Sequence, residues 1–325
     1  MRIAINGFGR IGRSILRRAL DTGINVVAIN DLADTQTLAH LLKYDSVYGI
    51  YNKPIEAGKD FIKVGNKKII VSSEKGPENL PWKKLGIDVV IESTGIFKKR
   101  EDSQKHIKAG AKKVLISAPA PESDVTIVLG VNEKDLRKNH QIISMASCTT
   151  NCIAPIIKIL EDKFGIKKGY LTTIHAYTSD QKLLDAPHKD PRRARSAAIN
   201  LVPTTSGAAT AVAEVIPGLK GKLDGMAIRA PIPCGSITDF VVELKKSPTV
   251  DQINDAIKSQ AKKITEILEY SEEELVSTDI IGNTHSSIFD SKLTKANGNM
   301  VKVLSWYDNE YGYSCRMVDT LKLLG

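Results

Sequence analysis

"RIAINGFGRIGRSILRRALDTG", residues 2–23, decides the fold. Its first five residues read as a buried strand. The next six, GFGRIG, match G-x-G-x-x-G. Ile11, Ile15, Leu16, Ala19 and Leu20 then recur at helical spacing until Gly23 can end the helix. A glycine-rich turn between strand and helix lets the backbone come close to a pyrophosphate. The N–H groups and dipole of the helix start favour the ligand's negative charge. The context, strand before and helix after, is what turns a weak motif into a dinucleotide fingerprint. A second apolar run, NVVAIN (25–30), leads into Asp31, nineteen residues beyond Gly12. A carboxylate there suits the ribose hydroxyls of NAD and repels the extra phosphate of NADP. Residues 31–36 (DLADTQ) hold no arginine to reverse that preference.

Outward from this unit, DVVIEST (88–94), KKVLISA (112–118) and QIISM (141–145) read as further buried strands. Strands alternating with helical patterns predict a Rossmann-type α/β fold with a doubly wound parallel sheet. After residue 147 the pattern changes. GYLTTIHAY (169–177), GMAIRAP (225–231), SITDFVVEL (236–244) and NMVKVLSWY (299–307) alternate, which predicts antiparallel strands with one buried face in a mixed α+β domain. The expected division is an NAD-binding domain over 1–147, completed by a closing helix at 311–325, and a catalytic domain over 148–310. Between the alternating runs, residues 178–205 are polar, arginine-rich and aperiodic. So long a stretch inside a compact domain is usually functional.

The chain has 325 residues, a formal net charge of +9 and four cysteines. It has no repeat, no low-complexity tail and no run of eighteen apolar residues, so a cytoplasmic protein with no membrane attachment is expected. The charge is spread over many lysines. It reads as a solvated basic surface, with an anionic small ligand as the sharper alternative. No zinc-finger spacing or RNA-recognition signature points to specific nucleic acid. No metal is expected, because no second pair of Cys or His ligands accompanies Cys148 and Cys152.

SMASCTTNCIAP (144–155) sets Cys148 among Ser147, Thr149, Thr150 and Asn151. A helix is expected to begin near Thr149 or Thr150. A thiol at a helix start is favoured as thiolate by the dipole. His175, late in the next predicted strand, is a candidate base that can hold the thiolate and move protons. Cys152, Cys234 and Cys315 read as buried structural cysteines.

GFGRIG, ASCTTNC, IHAYTSDQ, DAPHKDPRRAR and SWYDNEYGYS, in that order, resemble the phosphorylating glyceraldehyde-3-phosphate dehydrogenases from residue 2 to residue 324. The resemblance implies that Cys148 attacks the aldehyde of glyceraldehyde 3-phosphate and His175 takes the proton. A thioester forms, and inorganic phosphate releases it as 1,3-bisphosphoglycerate. It implies Thr178 and Arg229 for the substrate phosphate, and Ser147, Thr149, Ser206 and Gly207 for the attacking phosphate. For NAD it implies Asn6, Gly7, Gly9, Arg10, Ile11, Asp31, Thr94, Gly95, Ser117 and Asn309, with Tyr313 packed near the nicotinamide. It also implies a homotetramer, with 178–205 at a subunit interface.

The chain departs from the family pattern at RAPIPCGS (229–236), where R-V-P-T-P-N-V-S is usual, and at Ser206, where threonine is common. Ala186 stands where NAD-specific members often have leucine, while Leu32 and Pro187 follow the NAD pattern. NADP therefore stays open as a secondary cofactor. Erythrose-4-phosphate dehydrogenase and a non-catalytic nucleotide- or RNA-binding member are the alternative readings.

Overall fold

A computed structural model describes residues 1–325. By its internal contacts the chain divides into two compact units. Met1–Ile127, Lys134–Ala146 and Ser314–Gly325 make the first; Val128–Glu133 and Ser147–Tyr313 make the second.

The first unit is built on a nine-stranded sheet. Its centre is strand Ile3–Asn6, flanked in parallel by Val26–Asn30 on one side and Val89–Glu92 on the other. Lys113–Ile116, Ile142–Ser144 and Val125–Thr126 extend the second side, all parallel. Lys67–Ser72 extends the first side in parallel, and Phe61–Val64 and Ile55–Ala57 then finish it antiparallel. That antiparallel edge is absent from the sequence reading, because its short strands are only half-buried and lack a continuous apolar run. The central strands are buried on both faces, which is why they read as unbroken apolar runs. Helix Arg10–Asp21 buries Ile15, Leu16 and Ala19 and ends before Gly23, whose φ is 76°. The order of connection reverses at Ile3–Asn6, so a crevice lies beyond the carboxyl ends of the three central strands.

The second unit holds a seven-stranded sheet in the order Val202–Thr205, Leu223–Ala230, Ile166–Ala176, Ser236–Leu244, Met300–Tyr307, Ser287–Asn297, Leu268–Ser271. The sheet is mixed, as expected, with two parallel pairings, the first of them between strands expected to be antiparallel. Ile166–Ala176 runs parallel to Leu223–Ala230, and Leu268–Ser271 runs parallel to Ser287–Asn297. Alternation reports which face is buried and carries no information on direction. The long connection through 178–205 and helix Ala208–Val215 is what allows the first parallel pair. Helices Cys148–Phe164, Ala208–Val215 and Val250–Ala261 pack on the sheet. Thr249 and Gln252 form a capping box at the start of the last of these.

Gly235, in the segment that departs from the family pattern, has φ of 87°. A Cβ there would sit 2.0 Å from the Ser277 carbonyl oxygen. Gly235→Val, which restores the usual family residue, is therefore expected to destabilise the chain by about 2 kcal/mol or more. A denaturant midpoint equal to that of the unaltered chain would contradict this.

Candidate active site

The crevice in the first unit is lined by Asn6, Gly7, Gly9, Asp31, Leu32, Thr94 and Phe97, among others. Gly7 has φ of 90°, and a Cβ on it would meet the Thr94 backbone nitrogen at 2.6 Å. A Cβ on Gly12 would meet the Gly7 carbonyl oxygen at 2.2 Å, so helix and strand can only pack this closely through glycine. A Cβ on Gly9 would meet nothing within 4 Å, which leaves the middle of the turn open to a ligand. Gly9 is also the N-cap, and no side chain caps this helix. Such a terminus suits a pyrophosphate. The Asp31 carboxylate accepts N–H bonds from Phe8 (2.7 Å) and Ala33 (3.1 Å) and keeps lone pairs for ribose hydroxyls. The residues present thus fit a dinucleotide.

Other residues expected here play different parts. Arg10 pairs with Asp45 at 3.2 Å and lies over the Tyr48 ring. Ile11 is half-buried in the first helical turn. The Asn6 side chain is buried and bonded within the protein on both sides, so its share of the cleft is backbone. Gly95 has φ of 74° and is exposed. Ser117 directly follows strand Lys113–Ile116, its N–H bonded to the Glu92 carbonyl at 2.9 Å. Asn309 and Tyr313 belong to the second unit.

In the second unit, helix Cys148–Phe164 begins at Cys148 itself, one or two residues earlier than expected. Ser147 is its N-cap and accepts the Thr150 N–H at 3.0 Å. Ala146, just ahead, has φ of 52°, the left-handed region that a non-glycine residue rarely occupies. Cys148 is the half-buried cysteine; the other three are buried. Its Sγ lies 3.4 Å from His175 Nε2.

The strand register explains what surrounds His175. His175 pairs with Arg229 across the parallel ladder, and Arg229 pairs with Val202 on the next strand. Arg229 Nη1 is 2.7 Å from His175 Nδ1 and 3.1 Å from the Ala176 carbonyl, which itself lies 2.6 Å from Nδ1. One ring nitrogen cannot donate to the carbonyl and accept from the guanidinium at once. The carbonyl only accepts and the guanidinium only donates, so the two compete for the Nδ1 position. With its proton on Nδ1, the ring turns an Nε2 lone pair to the thiol, which is the tautomer of a base.

Burial pushes His175 down to about 3, with Arg229 adding to the effect. Burial pushes the Cys148 thiol up, while Arg229 and the Thr149 N–H pull it back. The helix-start effect expected from sequence is thus outweighed by desolvation. Cys152, enclosed by Thr238, Ser287 and Ser305, is pushed up to about 12.

Tyr307, which sequence reasoning passed over, sits against the site. Its hydroxyl bridges Thr149 (2.8 Å) and Thr173 (2.9 Å), and its ring meets His175 edge-on at 5.9 Å. It joins the cysteine helix to the histidine strand. The signal was its position on the buried face of the alternating strand that ends in SWYDNE.

Two buried donors here lack a partner: Arg229 Nε and Gln181 Nε2. Gln181 closes the turn that starts at Thr178. Gly207 N-caps helix Ala208–Val215, again with open space around its Cα, and Ser206 Oγ accepts the Ala208 N–H at 3.3 Å. Helix N-termini, hydroxyls and unpartnered donors are each groups that suit an oxyanion. Asn309 Oδ1 accepts from Ser236, whose Oγ accepts the Ala176 N–H, so the amide is oriented from the histidine strand.

Known families agree with this geometry. Residues 1–100 match the NAD-binding domain of glyceraldehyde 3-phosphate dehydrogenase, and residues 147–309 match its C-terminal domain. The chain belongs to the glyceraldehyde-3-phosphate dehydrogenase family. It is 55% identical to the glyceraldehyde-3-phosphate dehydrogenase of Streptomyces coelicolor, covering 100% of this chain and 98% of that protein. It is 56% identical to that of Geobacillus stearothermophilus, over 98% and 96%. It is 52% identical to that of Borreliella burgdorferi, over 100% and 99%.

Two outcomes follow for this family member. Limited iodoacetamide is expected to label Cys148 alone, read by peptide mapping; equal labelling of Cys152 would contradict the burial argument. Arg229→Leu removes a cation that lowers both the thiol and the imidazole, so both rise. The midpoint of the alkylation rate against pH should move to higher pH, and a shift to lower pH would refute the assignment.

Proposed function

We propose that this chain oxidises and phosphorylates D-glyceraldehyde 3-phosphate to 1,3-bisphosphoglycerate with NAD and inorganic phosphate. The observation that carries this reading is the Cys148–His175 contact at a helix start, in a chain that matches the family from end to end. It is an NAD-dependent oxidoreductase; the erythrose-4-phosphate and non-catalytic alternatives are not favoured.

NAD, when bound, supplies the hydride acceptor. His175 Nε2 takes the thiol proton as Cys148 bonds to the aldehyde carbon and passes it to the oxygen, which the backbone N–H of Cys148 stabilises. His175 Nε2 takes the hydroxyl proton as the adduct is oxidised to a thioester. Thr178 and Arg229 hold the substrate phosphate. Ser147, Thr149, Ser206 and Gly207 hold the phosphate that attacks the thioester. The Thr149 hydroxyl is already bonded to Tyr307, so it can donate to a phosphate only where it accepts from the tyrosine. Asn309 orients the nicotinamide amide and Tyr313 packs beside it. The thioester conserves the oxidation energy that hydrolysis would dissipate, so phosphate must be held ready.

Residues 1–147 with the helix at 311–325 act as the NAD-binding domain, and 148–310 as the catalytic domain. The working form is a homotetramer in the cytoplasm. Leu183, Leu184, Ile199 and Leu201 support the assembly: each is more than two-thirds exposed within the 178–205 stretch. Tyr170 and Val241, cross-strand neighbours, carry the exposed sheet face. Apolar surface of this kind suits a subunit interface. No helix is long and apolar enough to cross a membrane.

NADH formation should need both inorganic phosphate and the aldehyde, and Cys148→Ala should lose about a thousandfold or more in kcat. Sustained turnover without phosphate would exclude the phosphorylating reaction. Initial rates with NAD should exceed those with NADP at equal concentration, because Asp31 stands where the extra phosphate would lie.

A further inference from the structure

The structure assigns Glu92 as the positioning residue of the dinucleotide crevice, with His106 bracing its carboxylate and Trp82 fixing the His106 tautomer. This rests on the dinucleotide reading of that crevice.

Three polar side chains interrupt the apolar central strands at one level. Asn30, Asn6 and Glu92 are partners in the parallel registers of adjacent strands. Glu92 is 2% exposed and His106 and Trp82 are fully buried. A buried carboxylate is costly unless donors surround it. Here four do. Oε2 accepts Asn6 Nδ2 at 2.6 Å and His106 Nε2 at 3.1 Å. Oε1 accepts the Thr94 N–H at 2.8 Å and the Thr94 hydroxyl.

The direction of each bond is fixed by chemistry. The Trp82 indole N–H can only donate, and it lies 3.0 Å from His106 Nδ1. Nδ1 must therefore accept, which puts the ring proton on Nε2, facing Glu92. From the other side, Asn30 Nδ2 donates to Asn6 Oδ1 at 2.7 Å, and Asn30 is itself clasped by the Glu74 backbone at 2.8 and 2.9 Å. The side-chain donors of Asn6, His106 and Thr94 thus converge on one carboxylate. Asn6, Asn30, Glu74 and Thr94 all line the crevice; Glu92, His106 and Trp82 do not. The carboxylate acts through the residues it holds. It sets the backbone at Asn6–Gly7 and Thr94, and those are the two segments that Gly7 brings within 2.6 Å of a would-be Cβ.

Isothermal titration of NAD into the full chain tests this, with Cys148 alkylation rate as the control readout in the second unit. Glu92→Gln places an NH2 against groups that are already donors. It should weaken NAD by about tenfold or more while leaving the alkylation rate within about a factor of two. His106→Gln, whose amide can accept from Trp82 and donate to Glu92, should largely keep NAD affinity; His106→Leu should lose it. In a Trp306→Phe background, Trp82 emission should respond to NAD with His106→Gln and not with His106→Leu. A folded Glu92→Gln chain that binds NAD as tightly as the unaltered chain overturns the inference. So does equal loss in the two His106 variants, which would mark a merely structural core; this pair carries the test should Glu92→Gln fail to fold. An unaltered chain that binds no NAD would instead remove the dinucleotide reading, and the inference with it.

Discussion

The contact between Cys148 and His175 depends on two independent structural facts. One is a helix that starts at the cysteine; the other is a strand pairing that sets residue 175 beside residue 229. The helix contributes N–H groups and the thiol of a half-buried residue. The strand contributes a histidine whose Nδ1 lies between its own neighbour's carbonyl and the Arg229 guanidinium. Tyr307 ties them together through two threonine hydroxyls, so a shift of either element would break a buried hydrogen bond as well as the thiol–imidazole distance. Leaving such a group unpaired costs about 1–3 kcal/mol, which makes the geometry stiff. Arg229 lies against His175 Nδ1 at 2.7 Å, so its charge bears directly on the imidazole.

The crevice of the first unit follows the same logic with a different charge. Strand ends that are apolar elsewhere become Asn30, Asn6 and Glu92 where a ligand must be approached. Glycine removes side chains from the space and the buried carboxylate fixes the backbone left behind. Preorganisation of this kind lowers the ordering cost of binding.

Much of this was legible in the sequence. GFGRIG and Asp31 placed the first unit because their meaning is local: a turn, a helix start, and a carboxylate at the next strand end. The central strands were legible because burial on both faces leaves continuous apolar runs. Cys148 and His175 were legible as types in a pattern. What escaped were facts of register and direction. Alternation could not reveal that Leu223–Ala230 runs parallel to the histidine strand, so it could not bring Arg229 to His175; the family resemblance implied Arg229 only as a phosphate residue. The thiol's environment was misjudged for a related reason: a helix start is visible in sequence, the depth of burial around it is not. Tyr307 and Glu92 were missed as single polar groups in apolar runs. A charged residue inside VVIEST is a signal in itself, since burial of a lone carboxylate is tolerated only where partners from other strands meet it.

The double clasp on the Asn6 amide has a consequence for chemical ageing. An asparagine followed by glycine is the dipeptide most prone to cyclise to a succinimide and lose ammonia, and this chain has one at the heart of its crevice. Asn6 is held between Glu92 and Asn30 at 1% exposure, with its side chain unable to swing onto the following N–H. Asn297–Gly298 is the same dipeptide in an exposed hairpin turn. Slow deamidation of stored protein would thus fall on the hairpin and spare the motif on which the fold is built.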